Sequence, residues 1–198
     1  MALKKGTRAP KFALKSTSKL KDVAIKFNTS KQTVLLFFPL AFTGACTKEF
    51  CTLTAGMNDY KKLKADVYGI SVDSPFAQEA WAKQEKIKIT LLSDFNKKVS
   101  QAYGVLQKTL LGLQGVAKRS AFVVSKDGKI TYSWVSNDPL KLPDFKAIKA
   151  VLEQKEDKST KKTPIKKKRS ASKVTTKRKT SVVKSVAKKK RSAVRRRS

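Results

Sequence analysis

Few residues of this chain can do covalent chemistry, and those few lie close together. Cys46 and Cys51 are the two cysteines, five positions apart, and the 198 residues include no histidine. That absence removes Ser-His-Asp and Cys-His triads and all imidazole acid/base work. It also leaves the thiols short of the four N/S ligands of a structural zinc site, so neither a metal nor a cofactor is expected. A nucleophile here would be a thiolate, stabilised by something other than imidazole.

The surroundings of Cys46 offer that stabilisation. Thr33–Phe38 is a continuously apolar, β-rich run, the pattern of a strand buried on both faces. A loop through Pro39-Leu40-Ala41-Phe42 follows, and the spacing then predicts a helix from about Thr43 to Lys64. Cys46 would sit in the first turn of that helix, where unpaired N–H groups and the positive dipole end favour a thiolate. The carboxyl end of a central strand is also where open α/β sheets bind ligands. Arg119, just ahead of the apolar strand Ala121–Val124, is the best second cation, because its guanidinium stays charged and presents a fork of donors. The Thr43 hydroxyl both donates and accepts. Singly, Cys46 reads as a small core residue and Thr43 as a helix cap; together with Arg119 they suit attack of a thiolate on an O–O bond.

The remaining elements form a frame for this loop. Asp66–Val72 reads as a second central strand, and Ser74-Pro75 opens a helix with Ser74 as N-cap. Ile87–Leu92 is a short strand, Asn96–Tyr103 a short helix, and Ser120–Val124 a strand joined through Asp127-Gly128 to Ile130–Trp134. Pro143–Gln154 closes as an amphipathic helix, with Phe145, Ile148, Val151 and Leu152 on one face. Asp73 and Asp94, at strand ends, read as caps or loop residues. The order β-α-β-α-β-α-β-β-α predicts an α/β domain over residues 1–154, a mixed sheet with helices on both faces.

Residues 155–198 differ in kind. They carry 20 Lys and Arg against Glu156 and Asp157, a net +18 of the chain's +32, and no aromatic residue. Such a segment cannot bury enough apolar surface to offset its chain entropy, so a disordered tail is expected. Its clusters are Lys166-Lys167-Lys168-Arg169, Lys177-Arg178-Lys179, Lys188-Lys189-Lys190-Arg191 and Arg195-Arg196-Arg197. They resemble the tails of linker histones and bacterial histone-like proteins, and they suit phosphate backbones of DNA or RNA without sequence preference. The longest apolar stretch, Val34–Phe42, is far short of the ~20 residues of a bilayer span. Cytoplasmic placement is expected, at the nucleoid, or in the nucleus of a eukaryote.

Pro39-xxx-Thr43-xx-Cys46 matches the PxxxTxxC signature of peroxiredoxins, and Arg119 ahead of Phe122-Val123-Val124 falls where that family has its active-site arginine. Gly6–Phe12 also resembles the usual start of the domain. The resemblance covers about residues 5–154 and implies a thioredoxin-like fold with peroxidase activity on hydrogen peroxide and organic hydroperoxides. By that resemblance Cys46 is the peroxidatic cysteine, Thr43 and Arg119 orient the peroxide, Pro39 shields the sulfur, and Glu49 buttresses the arginine. Cys51 is the resolving cysteine, and a thioredoxin-like dithiol recycles the disulfide, in a monomer or homodimer. The cysteine spacing resembles the Q-type (bacterioferritin comigratory protein) group, whereas Phe38–Gly44 is closer to the E-type group. On an intact helix, residues five apart have Cα atoms roughly 8.7 Å from each other, beyond the about 4.4–6.8 Å of a disulfide. A Cys46–Cys51 bond therefore requires the helix to unwind. The competing class is a DNA-binding, histone-like protein whose redox domain is a sensor or accessory.

Overall fold

Residues 32–37 alternate in neither charge nor burial; all six are buried, and they form the strand on which the rest is laid. The computed structural model describes residues 1–154, apart from 18, 19 and 28. The expected tail and its basic clusters, Lys166 to Arg197, lie outside the described residues. Elements run β1 (Phe12–Ser16), β2 (Asp22–Ile25), β3 (Gln32–Phe37), α1 (Gly44–Ala55), α2 (Met57–Lys62), β4 (Ala65–Ser71), α3 (Pro75–Gln84) and β5 (Thr90–Ser93). They continue α4 (Lys98–Ala102), β6 (Leu106–Leu110), β7 (Leu113–Ala117), β8 (Ser120–Val124), β9 (Ile130–Val135) and α5 (Phe145–Glu153).

Seven strands make one mixed sheet in the order β2-β1-β5-β4-β3-β8-β9. β3, β4 and β5 are parallel, and β8 runs antiparallel to β3 with Leu36 opposite Ala121. The pleat divides β3 between two cores. Val34 and Leu36 face Phe50, Leu53, Tyr60, Trp81, Ile148 and Leu152, which places α1, α2, α3 and α5 on one side. Leu35 and Phe37 face Val99, Tyr103 and Val105, so α4 covers the other. The expected α/β class, mixed sheet and two-sided helical cover all hold, and the architecture is thioredoxin-like.

Local signals hold in several places. Ser74 Oγ accepts from Ala77 N at 3.2 Å with Pro75 at the first helical position. Gly128, at φ +85°, turns β8 into β9 as Asp127-Gly128 predicts. Other expectations need correction. The single helix Thr43–Lys64 is two helices, broken at Gly56, where glycine interrupts with little side-chain penalty. The strand expected at Ile87–Leu92 is β5, displaced to Thr90–Ser93. Four strands are additional. β1 and β2 pair as an antiparallel edge hairpin whose short length and half-exposed alanines mask their alternation. β6 and β7 pair around Leu111-Gly112, both at positive φ; that turn shape normally advertises itself as Asn-Gly or Asp-Gly.

One glycine governs how closely α1 approaches the sheet. A Cβ added at Gly69, in the middle of β4, would lie 2.4 Å from Phe50 and 2.7 Å from Leu91. Phe50 belongs to α1 and stacks edge-on against Phe38 at 4.7 Å between ring centroids. Gly69→Ala should therefore push α1 outward and destabilise the fold by about 1–3 kcal/mol. Urea unfolding monitored by circular dichroism measures this, and the midpoint should fall with little change in slope.

Candidate functional site

The first turn of α1 lies at the carboxyl end of β3, and its N-cap is Thr43. Gly44, Ala45 and Cys46 are the first three helical residues, so Cys46 has the placement the sequence predicts. No acidic side chain occupies this turn to compete for its N–H groups. The Thr43 hydroxyl makes no cap bond to the helix; it donates instead to the Leu40 carbonyl at 3.0 Å. Its lone pairs are thereby left to accept from a bound molecule. Pro39 is buried in the same loop, and Phe42 beside Thr43 is half exposed with φ at +60°.

Cys46 is fully buried, and Arg119 reaches it from the segment just before β8. Arg119 Nη2 donates to Cys46 Sγ at 3.1 Å, Nη1 donates to Glu49 Oε2, and Nε donates to the Pro139 carbonyl at 2.9 Å. Arg119 is 1% exposed and Glu49 not at all. Helical spacing explains the shared contact, because Cys46 and Glu49 are three apart and project from one face of α1. These contacts use three of the five guanidinium donors, which leaves two for a ligand. Burial pushes the Glu49 carboxyl up to about 7 against the pull of the Arg119 guanidinium. A carboxyl raised on folding holds a proton that the unfolded chain has already released, so this group costs stability as pH rises from about 4.5 to about 7.

Cys51 lies further along α1 on an exposed position, its Sγ 4.0 Å from the Glu85 carbonyl at the end of α3. Both cysteines are free, and α1 is continuous through both. Sequence reasoning thus places Pro39, Thr43, Cys46, Glu49 and Arg119 around the start of α1, while Cys51 stands apart. It understated Asp73, whose Oδ2 accepts from Ala41 N at 2.9 Å and from Ser71 Oγ at 2.7 Å. That carboxylate ties the Pro39–Thr43 loop to β4, and its position at a strand end is the only signal of it. It missed the Pro139 carbonyl, since backbone acceptors leave no mark in a sequence. It also missed Trp81, whose Nε1 donates to Thr47 Oγ1 at 3.1 Å and braces α1 against α3.

A buried thiol thus shares a guanidinium with a carboxylate at the carboxyl end of a central strand of a thioredoxin-like sheet. The chain belongs to the AhpC/TSA family, the peroxiredoxins: the family model, described as AhpC/TSA family, matches residues 5–133. It is 31% identical over 142 residues to the chloroplastic 2-Cys peroxiredoxin BAS1 of Hordeum vulgare, covering 67% of this chain and 66% of that protein. Mouse peroxiredoxin-2 is 31% identical over 144 residues, covering 68% of this chain and 71% of that protein. The chain spans about half to two thirds of the length of the plant relatives it matches. Among solved structures, peroxidoxin BcpB of Mycobacterium tuberculosis superimposes with a TM-score of 0.66 at 29% identity, covering 76% of this chain and 96% of that one.

Removing Arg119 would leave the Glu49 carboxyl buried without its cation, so burial alone would hold its proton through neutral pH. Arg119→Ala should therefore destabilise the fold most at alkaline pH, by about 3–5 kcal/mol where Glu49 is forced to ionise unpaired, and by less at neutral and acidic pH where Glu49 stays protonated. Thermal melts across pH measure both effects.

Proposed function

We propose that the protein is a thiol peroxidase acting through Cys46. The observation that carries this reading is the 3.1 Å contact from Arg119 Nη2 to Cys46 Sγ at the first turn of α1. The guanidinium and the helix end stabilise the thiolate, and the two remaining guanidinium donors stabilise negative charge on the peroxide as its O–O bond breaks. Thr43 accepts a hydrogen bond from the peroxide hydroxyl, Pro39 helps keep water from the sulfur, and Glu49 fixes the plane of the guanidinium. The sulfur takes one oxygen to become a sulfenic acid, and hydrogen peroxide or an organic hydroperoxide leaves as water or an alcohol.

Cys51 then condenses with the sulfenic acid, releasing water and forming a disulfide. With α1 intact, the two Cα atoms are roughly 8.7 Å apart, so this step follows unwinding of the helix. An external dithiol of the thioredoxin type reduces the bond. The tail, residues 155–198 with net charge +18, binds nucleic-acid backbones and holds the enzyme at DNA or RNA. The histone-like alternative, in which the redox domain only senses, draws on the same charge.

Peroxide consumption with a dithiol reductant separates the two classes. Cys46→Ser should abolish turnover, and undiminished turnover would remove the peroxidase reading. Deleting residues 155–198 should weaken binding to duplex DNA and flatten its salt dependence, the slope falling by about 0.9 for each phosphate that the tail neutralises. Equal affinity with and without the tail would remove the tethering reading.

A further inference from the structure

The loop that precedes α1 is held by a short line of hydrogen bonds that ends on the Thr43 hydroxyl. Asp73 Oδ2 accepts from Ala41 N at 2.9 Å, and Thr43 Oγ1 donates to the Leu40 carbonyl at 3.0 Å. The Ala41 N–H and the Leu40 carbonyl are the two ends of one planar peptide unit. Carboxylate and hydroxyl are thus joined through a single amide. Each bond has one possible direction, because a carboxylate and a carbonyl only accept and an amide N–H only donates. The one hydrogen of the Thr43 hydroxyl is therefore committed to Leu40, and toward anything else that oxygen is an acceptor. A carboxylate on the N–H also makes the carbonyl of the same amide a stronger acceptor, so the two bonds reinforce each other.

Asp73 is itself fixed by the sheet. Ser71 Oγ, at the end of β4, donates to Oδ2 at 2.7 Å and accepts from Nε2 of the fully buried Gln78 at 2.8 Å. From the end of β5, Ser93 Oγ donates to the Asp73 carbonyl at 2.6 Å. Two strand ends therefore aim the carboxylate at the loop. Between the two tied residues lies Phe42, half exposed and at φ +60°. That left-handed backbone is unfavourable for a bulky side chain and persists only where its surroundings impose it. Here the Asp73 bond precedes it and the Thr43 bond follows it, and the turn at Phe42 carries the Thr43 hydroxyl back to Leu40.

We infer that Asp73 is a positioning residue that, through the Leu40–Ala41 peptide, fixes the Thr43 hydroxyl as an acceptor and so favours oxidants that carry an O–H donor. The inference rests on the thiol-peroxidase reading, in which Thr43 meets the peroxide. A hydroperoxide can donate its O–H to Thr43 while Cys46 attacks the oxygen that bears that hydrogen. Asp73 acts on the reaction only through the amide and the hydroxyl.

The test is a double-mutant cycle in the full-length protein, with Cys51→Ser in every chain so that Cys46 is the one thiol. Asp73→Ala and Thr43→Val are made singly and together. Cys46 is then reacted with hydrogen peroxide and, separately, with methyl methanethiosulfonate, a thiol reagent that has no hydrogen-bond donor. Each single variant should slow peroxide oxidation about tenfold. The pair should be no slower than Thr43→Val alone, and the thiosulfonate rate should not fall. Equal losses from Asp73→Ala with and without the Thr43 hydroxyl, or a parallel fall with both reagents, overturn the inference, since each marks a general loosening of the loop. Should Asp73→Ala fold poorly, Asp73→Asn decides in the same cycle. Its side-chain oxygen still accepts from the Ala41 N–H but without charge, so peroxide oxidation should fall about threefold with Thr43 present and not at all in Thr43→Val. No fall, or the same fall in both, overturns the inference and leaves the peroxidase reading standing. A parent chain whose Cys46 reacts with the thiosulfonate but not with peroxide removes the reading itself and the inference with it.

Discussion

The buried charge of Arg119 is the constraint that organises this domain. A guanidinium with 1% of its surface exposed is tolerable only if its donors are met by good acceptors. Two of those acceptors, Cys46 Sγ and Glu49 Oε2, stand on α1, and the third is the Pro139 carbonyl. The sheet order brings β8 beside β3, and α1 begins where β3 ends, so the arginine ahead of β8 meets the first turns of α1. Gly69 allows Phe50 to descend onto β4, and Asp73 holds the preceding loop by the Ala41 N–H. Packing far from the sulfur thus fixes the geometry at the sulfur.

The proposed reaction places an opposing demand on the same helix. It positions Cys46 only while folded, yet the proposed pairing of Cys46 with Cys51 requires it to open. Its sequence, GACTKEFCTLTA, suits both states: one glycine and three threonines are indifferent helix formers, Thr43 spends its hydroxyl elsewhere, and no basic side chain lies in the last turn. What holds α1 is tertiary. Phe50 packs with Phe38 and Trp81, and Trp81 donates to Thr47. A helix stabilised by packing rather than by propensity folds with its domain and can open locally without breaking the sheet.

Much of the fold was legible in the sequence, for physical reasons. The apolar run at Val34–Phe38, the Ser74-Pro75 start and the Asp127-Gly128 turn are local signals with one strong reading each. The hairpins β1–β2 and β6–β7 were not legible, because β1 and β2 are too short for their alternation to stand out, β6 and β7 carry glutamine and lysine without a clear alternation, and Leu111-Gly112 is an unadvertised turn. At the site, Cys46, Thr43 and Arg119 were readable because spacing to a helix start and a strand is a sequence property. The convergence of Glu49 and Cys46 on one guanidinium and the tie from Asp73 are properties of three-dimensional packing, and no local pattern encodes them.

Everything built on the Arg119 cluster comes down to what Cys46 does with an oxidant. The most direct test is the intact mass of the reduced protein after one equivalent of hydrogen peroxide, with the modified peptides mapped. The expected result is a loss of two hydrogens per chain, with Cys46 and Cys51 joined in one peptide and the helical signal reduced. An unreacted Cys46, or oxidation confined to the exposed Cys51, would contradict it.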